Sequence, residues 1–221
     1  MSLGRYSCQS WGNSDNRGVY TTSFKEHVYG LLEMGYNRLA PKRHKHSDET
    51  AITGELARAI DEVLDDTTAP SWVRFYSVYD DPAVNQRERY GKRRRRVDIK
   101  FTATICCPRP KFHFEAKRLH DSGSAAEYLG ADGLGCFITG AYARDADEAG
   151  MLGYVQSNDE ETWAMELCAI LNNSNCYCVC KDGRWNPCVI TSQLKHTYTT
   201  RHSRAKRLGP IRISHVLLRF F

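Results

Sequence analysis

The chain has 221 residues, 41% hydrophobic and 26% charged, an ordinary globular composition with room for one α/β domain and a sizeable core. No apolar run reaches the roughly 20 residues needed to cross a bilayer, and the first residues lack a charged-then-apolar leader pattern, so a cytoplasmic protein without membrane contact is expected. The net charge of +5, with cations clustered in Lys92 to Arg96 and in Arg201, Arg204, Lys206 and Arg207, suggests a polyanionic partner such as nucleic acid, against the plainer reading of solvated turns.

Residues 1 to 22 mix Gly, Ser, Asn and Asp with isolated aromatics and show no period, which predicts an irregular arm. Phe24 to Tyr36 is predicted as a short helix ended by Gly35, and Pro41 with Lys42 to His46 as a loop. Residues 1 to 46 then form an arm with a short helix, and the main domain runs from 47 to 221. Ser47 is placed to cap a helix from Asp48 to Asp65, along which Ile52, Leu56, Ala59, Ile60 and Val63 share a stripe. Glu49 falls inside that stripe, and Glu55 lies about 100° from its centre. A carboxylate on the buried side is costly unless it is paired or bound to a cation. An acid at a helix N-terminus is also favoured by the helix dipole, so both roles stand for Glu49.

Trp72 to Tyr79 reads as a strand turned by Asp80-Asp81-Pro82, and Ala83 to Arg96 as a long polar connection suited to a phosphate backbone. Two strands follow, Val97 to Ile105 and Lys111 to Lys117, separated by Cys106-Cys107-Pro108-Arg109-Pro110. Alternation puts Val97, Ile99 and Phe101 on one face and Asp98, Lys100 and Thr102 on the other. In the second strand Phe112, Phe114 and Ala116 form the apolar row, and His113, Glu115 and Lys117 the polar row. Pairing the two strands gathers Asp98, Glu115 and Lys117 on one face. Two carboxylates on rigid strands are hard oxygen ligands of the kind Mg²⁺ takes together with waters and phosphates. A lysine beside them can orient a water and offset charge on a phosphate, so the trio suits metal-assisted hydrolysis of a phosphodiester. The bland alternative is the solvated face of a half-exposed hairpin.

Beyond Arg118 and the turn-forming Asp121-Ser122-Gly123-Ser124, Leu134, Phe137, Ile138 and Tyr142 hold helical spacing, which predicts one helix over Ala125 to Tyr142 despite four glycines. Met151 to Gln156 is predicted as a buried strand and Asp159 to Leu171 as an amphipathic helix. Cys176-Tyr177-Cys178-Val179-Cys180 alternates like a strand, which puts three of the nine thiols on one face with Cys188 across a turn. Cys-x-Cys on an extended strand is a poor chelate, so small buried hydrophobes are expected there and no structural zinc. Thr197 to Arg207 is polar and basic, and Ile211 to Phe221 alternates into a final, mostly buried strand. His196, His202 and His215 lack metal-ligand spacing and fit hydrogen-bonding or phosphate-contacting roles.

Asp98 followed by Glu115-Ala116-Lys117 resembles the PD-(D/E)xK nuclease superfamily, with Val97 where that pattern has Pro. Tyr128, Gly133, Phe137, Tyr142 and Met151-Leu152-Gly153-Tyr154-Val155 extend the likeness toward restriction-endonuclease-like proteins of bacterial phage defence, over roughly residues 47 to 156. The resemblance implies an α/β fold with a restriction-endonuclease-like mixed sheet flanked by helices on both faces. It implies catalysis by Asp98, Glu115, Lys117 and Glu49. One or two Mg²⁺ ions, replaceable by Mn²⁺, would be held by Asp98, Glu115, Glu49 and the Ala116 carbonyl. Arg93, Arg94, Arg95, Arg96 and Arg118 would grip the phosphates, duplex DNA being the implied substrate and RNA the alternative. A regulatory protein partner and self-association fit a defence setting. The competing expectation, from another class, is a nucleic-acid-binding or assembly subunit without turnover.

Overall fold

The computed structural model describes residues 22–83, 95–104, 108–173, 177–204 and 208–221. The connection expected over Ala83 to Arg96 lies largely outside these residues, as do Ile105 and Cys176. Seven strands form one mixed sheet: β1 (Tyr76–Asp80), β2 (Ile99–Ala103), β3 (Lys111–Leu119), β4 (Glu148–Val155), β5 (Asn186–Pro187), β6 (Thr197–His202) and β7 (Ile211–Arg219). Their spatial order is β1-β2-β3-β4-β7-β6-β5. The central pairs β3/β4 and β4/β7 are parallel, and the flanking pairs are antiparallel.

Strand alternation divides the apolar residues between two cores. Ile99, Phe101, Phe112, Phe114, Leu152, Tyr154, Val216 and Leu218 pack in one core with Val28, Tyr29, Leu32, Ile52, Leu56 and Ile60. These last six belong to helices α1 (Thr22–Arg38) and α2 (Glu49–Leu64). Leu119, Met151, Val155, Ile213 and Leu217 pack in the other with α3 (Ser124–Leu129), α4 (Leu134–Ile138) and α5 (Glu160–Asn173). Helices therefore cover both faces. The central strand β4 is buried over seven of its eight positions, as parallel strands covered on both sides must be. Each large side chain fully removed from water contributes about 1.5–3 kcal/mol.

Several boundaries differ from the sequence reading, each for a local reason. Helix α1 runs past Gly35, because that glycine serves a helix crossing and not a stop. A Cβ there would stand 2.3 Å from Cγ1 of Ile60, so its absence lets α1 and α2 touch. Since Val28, Tyr29, Leu31 and Leu32 are fully buried, the core extends N-terminal to residue 47. The α2 cap is Asp48 and not Ser47: its Oδ1 accepts from the Ala51 amide at 2.7 Å. The aromatic run at Trp72 first makes a 3₁₀ turn over Val73–Phe75, so β1 starts only at Tyr76.

The helix expected over Ala125 to Tyr142 is two short helices. A Cβ on Gly133 would lie 2.2 Å from the Tyr128 carbonyl, so the chain doubles back there where only glycine fits. Strand β2 starts at Ile99, and a bend at Asp98 turns Val97 into the core opposite to that of Ile99 and Phe101. The cysteine segment is not a strand: Cys178 has φ +50° and is exposed, and Val179 makes only an isolated bridge to His202.

His202 and His215 are buried members of one hydrogen-bond chain. His202 Nδ1 faces the Tyr177 carbonyl at 2.7 Å, and its Nε2 faces Thr200 Oγ1 at 2.7 Å. Thr200 Oγ1 also meets His215 Nε2 at 2.8 Å, and His215 Nδ1 meets the Tyr128 hydroxyl at 3.0 Å. One proton order satisfies every atom: His202 donates to the carbonyl, Thr200 to His202, His215 to Thr200, and Tyr128 to His215. Both imidazoles are neutral in that order.

Burial holds both histidines below the ordinary range, for His215 with a smaller contribution from His202. The unfolded chain takes up these protons below about pH 6.5, so this contribution is complete above that pH and is lost as pH falls below it. Chemical denaturation is therefore expected to show stability dropping from pH 7 to pH 5. Thr200→Val, which leaves two buried nitrogens unpaired, should cost about 2–4 kcal/mol at pH 7. An unchanged denaturation midpoint would show that the chain does not hold this region together.

Candidate active site

The bend at Asp98 and the pairing of β2 with β3 build the site. Ile99 lies opposite Phe114, so Asp98 comes beside Glu115 one residue further along. Asp98 Oδ2 accepts from the Ala116 amide at 2.6 Å, which fixes its carboxylate against β3. Two residues on, Lys117 projects from the same pleat face as Glu115. Its Nζ donates to Glu115 Oε1 at 3.1 Å, to Glu49 Oε1 at 2.9 Å and to the Ala116 carbonyl at 2.8 Å. Glu49 arrives from the first turn of α2, where the helix dipole also favours it, and pairs with Lys117.

Burial is graded across the cluster. The side chain of Glu115 is 6% exposed, Lys117 14% and Glu49 30%, so the opening to solvent is on the α2 side. Glu115 Oε2 is buried with no hydrogen-bond donor. Burial first, and then the charge of Asp98, push the Glu115 carboxyl up to about 9 despite Lys117. Burial also raises Asp98, against the Ala116 amide and Lys117. For Lys117, burial pulls downward, but Glu115, Glu49 and Asp98 outweigh it and hold the ammonium above the ordinary lysine range.

Three carboxylates facing one ammonium leave two negative charges in a largely dry pocket, which must be cancelled by a proton or a cation. The oxygens of Glu49, Glu115 and Ala116 already surround a cationic group, and Glu115 Oε2 and Asp98 supply further hard donors. That donor set fits a divalent ion of the Mg²⁺ class. Among the described residues no three His, Cys, Asp or Glu side chains close on one point, and Lys117 Nζ lies between Glu49 and Glu115.

The basic residues divide. Arg95 turns toward α4: its Nη1 donates to the Cys136 thiol at 3.2 Å, and it makes no ion pair among the described residues. Arg96 points away and pairs with Asp81 at 2.6 Å. Arg118 falls on the pleat face opposite Lys117. Arg93 and Arg94 lie outside the described residues. Glu55 is on the surface, paired with Arg58.

Two supports escaped the sequence reading. Gln156, 5% exposed, donates from Nε2 to the carbonyls of His44 at 2.7 Å and Ser47 at 2.9 Å, pinning the turn that delivers Glu49. Its only signal was a polar residue closing an apolar strand. Tyr142 donates to the Arg96 carbonyl at 2.5 Å and holds the chain entering Asp98.

In a chelator, burial and Asp98 favour the protonated Glu115 carboxyl in the folded protein, while the unfolded chain loses that proton above about pH 4.5. This contribution is present at low pH and fades as pH rises toward about 9. Glu115→Gln, neutral at every pH, should therefore gain about 1–2 kcal/mol over wild type at pH 8, about 2–4 °C in Tm for each kcal/mol, and nothing near pH 4.5. Parallel Tm profiles for the two proteins would show that Glu115 carries no such proton. The chain matches no family model, no curated protein and no solved structure.

Proposed function

We propose that the protein is a metal-dependent nuclease of the PD-(D/E)xK type on a restriction-endonuclease-like sheet, hydrolysing phosphodiester bonds, with duplex DNA as the first substrate to test. The observation that carries this reading is the convergence of Glu49, Glu115 and the Ala116 carbonyl on one ammonium, beside Asp98 and a Glu115 oxygen that lacks a donor. Asp98, Glu115, Glu49 and the Ala116 carbonyl would hold Mg²⁺ or Mn²⁺, which when bound polarises a phosphoryl oxygen and acidifies water.

The chain's own groups then have defined tasks. Asp98 is held against β3 by the Ala116 amide and would be one of the ligands. Lys117, released from its oxygen acceptors, is the donor available to orient the attacking water and to offset charge gathering on the phosphate. In the reaction the attacking water gives up a proton as its oxygen bonds to phosphorus, the phosphorus–oxygen bond to the leaving sugar breaks, and the leaving oxygen takes up a proton in its place, so one water is added across the bond. Arg95, which among the described residues bonds to the Cys136 thiol and makes no ion pair, is placed to meet a phosphate.

Incubation of the purified protein with plasmid, linear duplex and structured RNA, with and without Mg²⁺, tests the reading. Mg²⁺-dependent cleavage is expected. Asp98→Ala and Glu115→Gln should abolish it, and Lys117→Ala should slow it by about 10²–10⁴-fold, with circular dichroism unchanged. Salt-sensitive binding without turnover would identify a nucleic-acid-binding subunit instead, and cleavage that survives Glu115→Gln would end the nuclease assignment to this site.

A further inference from the structure

The polar face that carries Asp98 and Glu115 continues along β2 and β3 toward the hairpin turn, and its next row carries one cation, Lys100. Tyr79, Lys100 and His113 are direct register partners across β1, β2 and β3. That row stands one two-residue step from Asp98 and Glu115, about 7 Å along the strands. Lys100 Nζ sits 4.4 Å above the centre of the Tyr79 ring, which is 48% exposed. Lys100 makes no ion pair among the described residues, and His113 Nδ1 is buried without a hydrogen-bond partner. A half-buried lysine held on an aromatic ring, with no carboxylate to neutralise it, is a poor element of a purely structural surface.

The carboxylate row next to it gives this arrangement a purpose. Even with a divalent ion bound, the carboxylates of Asp98, Glu115 and Glu49 leave nothing to attract the phosphates that flank the scissile one. A nucleic-acid strand lying along β2 and β3 therefore needs cations on either side of the carboxylates. Arg95 stands on one side, where the chain continues past the bend toward the Ala83–Arg96 bridge. Lys100 stands on the other.

We propose that Lys100, seated on Tyr79 beside His113, is a phosphate subsite that grips the backbone of a nucleic-acid strand next to the bond presented to Asp98 and Glu115. The inference rests on the nuclease reading of the neighbouring row. Single strands and duplexes share this backbone chemistry, and the two forms are separated by experiment.

The test measures binding of short fluorescein-labelled DNA, single-stranded and duplex, by anisotropy over a salt series, in a Glu115→Gln background that blocks turnover. Lys100→Ala is expected to weaken binding about three- to tenfold in at least one arm and to reduce the slope of log K against log[salt] by about 0.7–0.9, one phosphate contact. Lys100→Arg should restore both, and Tyr79→Leu, which removes the seat, should give part of the loss. Equal Tm values establish that the variants fold. Unchanged affinity and slope for Lys100→Ala in both arms, from a protein whose wild type cleaves with Mg²⁺, would overturn the subsite and leave the nuclease standing. A wild type that neither binds nor cleaves would overturn both.

Discussion

Lys117 donates to a helix side chain, a strand side chain and a strand carbonyl at once, and this three-way contact joins α2 to β3 at the level of Asp98. Its strength comes from surroundings that contain little water. Removed from solvent, an ammonium costs several kcal/mol unless its hydrogens are all matched, and here each finds an oxygen. The carboxylates are not matched in the same way, because Glu115 keeps one oxygen without a donor. The folded chain thus contains a local excess of acid that favours a proton or a cation.

The parts of this arrangement legible in the sequence are those set by period alone. Alternation in Lys111–Leu119 placed Glu115 and Lys117 on one face, and a strand partner brought Asp98 to them. The α2 stripe was equally plain, since Ile52, Leu56, Ala59, Ile60 and Val63 are all buried. Glu49 stood out because an acid within an apolar stripe needs a partner, and Lys117 is that partner. The layered α/β architecture followed from the order of helices and strands.

What stayed hidden depends on contacts between segments distant in sequence. Gly35 looks like a stop signal until Ile60 is seen to need the space. Ser47 and Asp48 are both good caps, and only the fold decides that the Ser47 carbonyl goes to Gln156 while the Asp48 side chain takes the cap. Four glycines between Tyr128 and Tyr142 allowed a helix or a doubled-back chain, and the close approach to the Tyr128 carbonyl selects the second. Val97 crosses to the other core because the Asp98 bend overrides simple alternation. Lys100 and Tyr79 are individually unremarkable surface residues whose meeting depends on β1 register.

Strand β7 occupies the middle of the sheet, between β4 and β6, although it spans residues 211–219 and so is made after every other strand. During synthesis both of its neighbours must wait with open edges, and β4, the support behind Glu115 and Lys117, has no partner on that side until β7 leaves the ribosome. A nascent chain therefore lacks a finished backing for its acidic pocket until β7 has emerged and paired with β4.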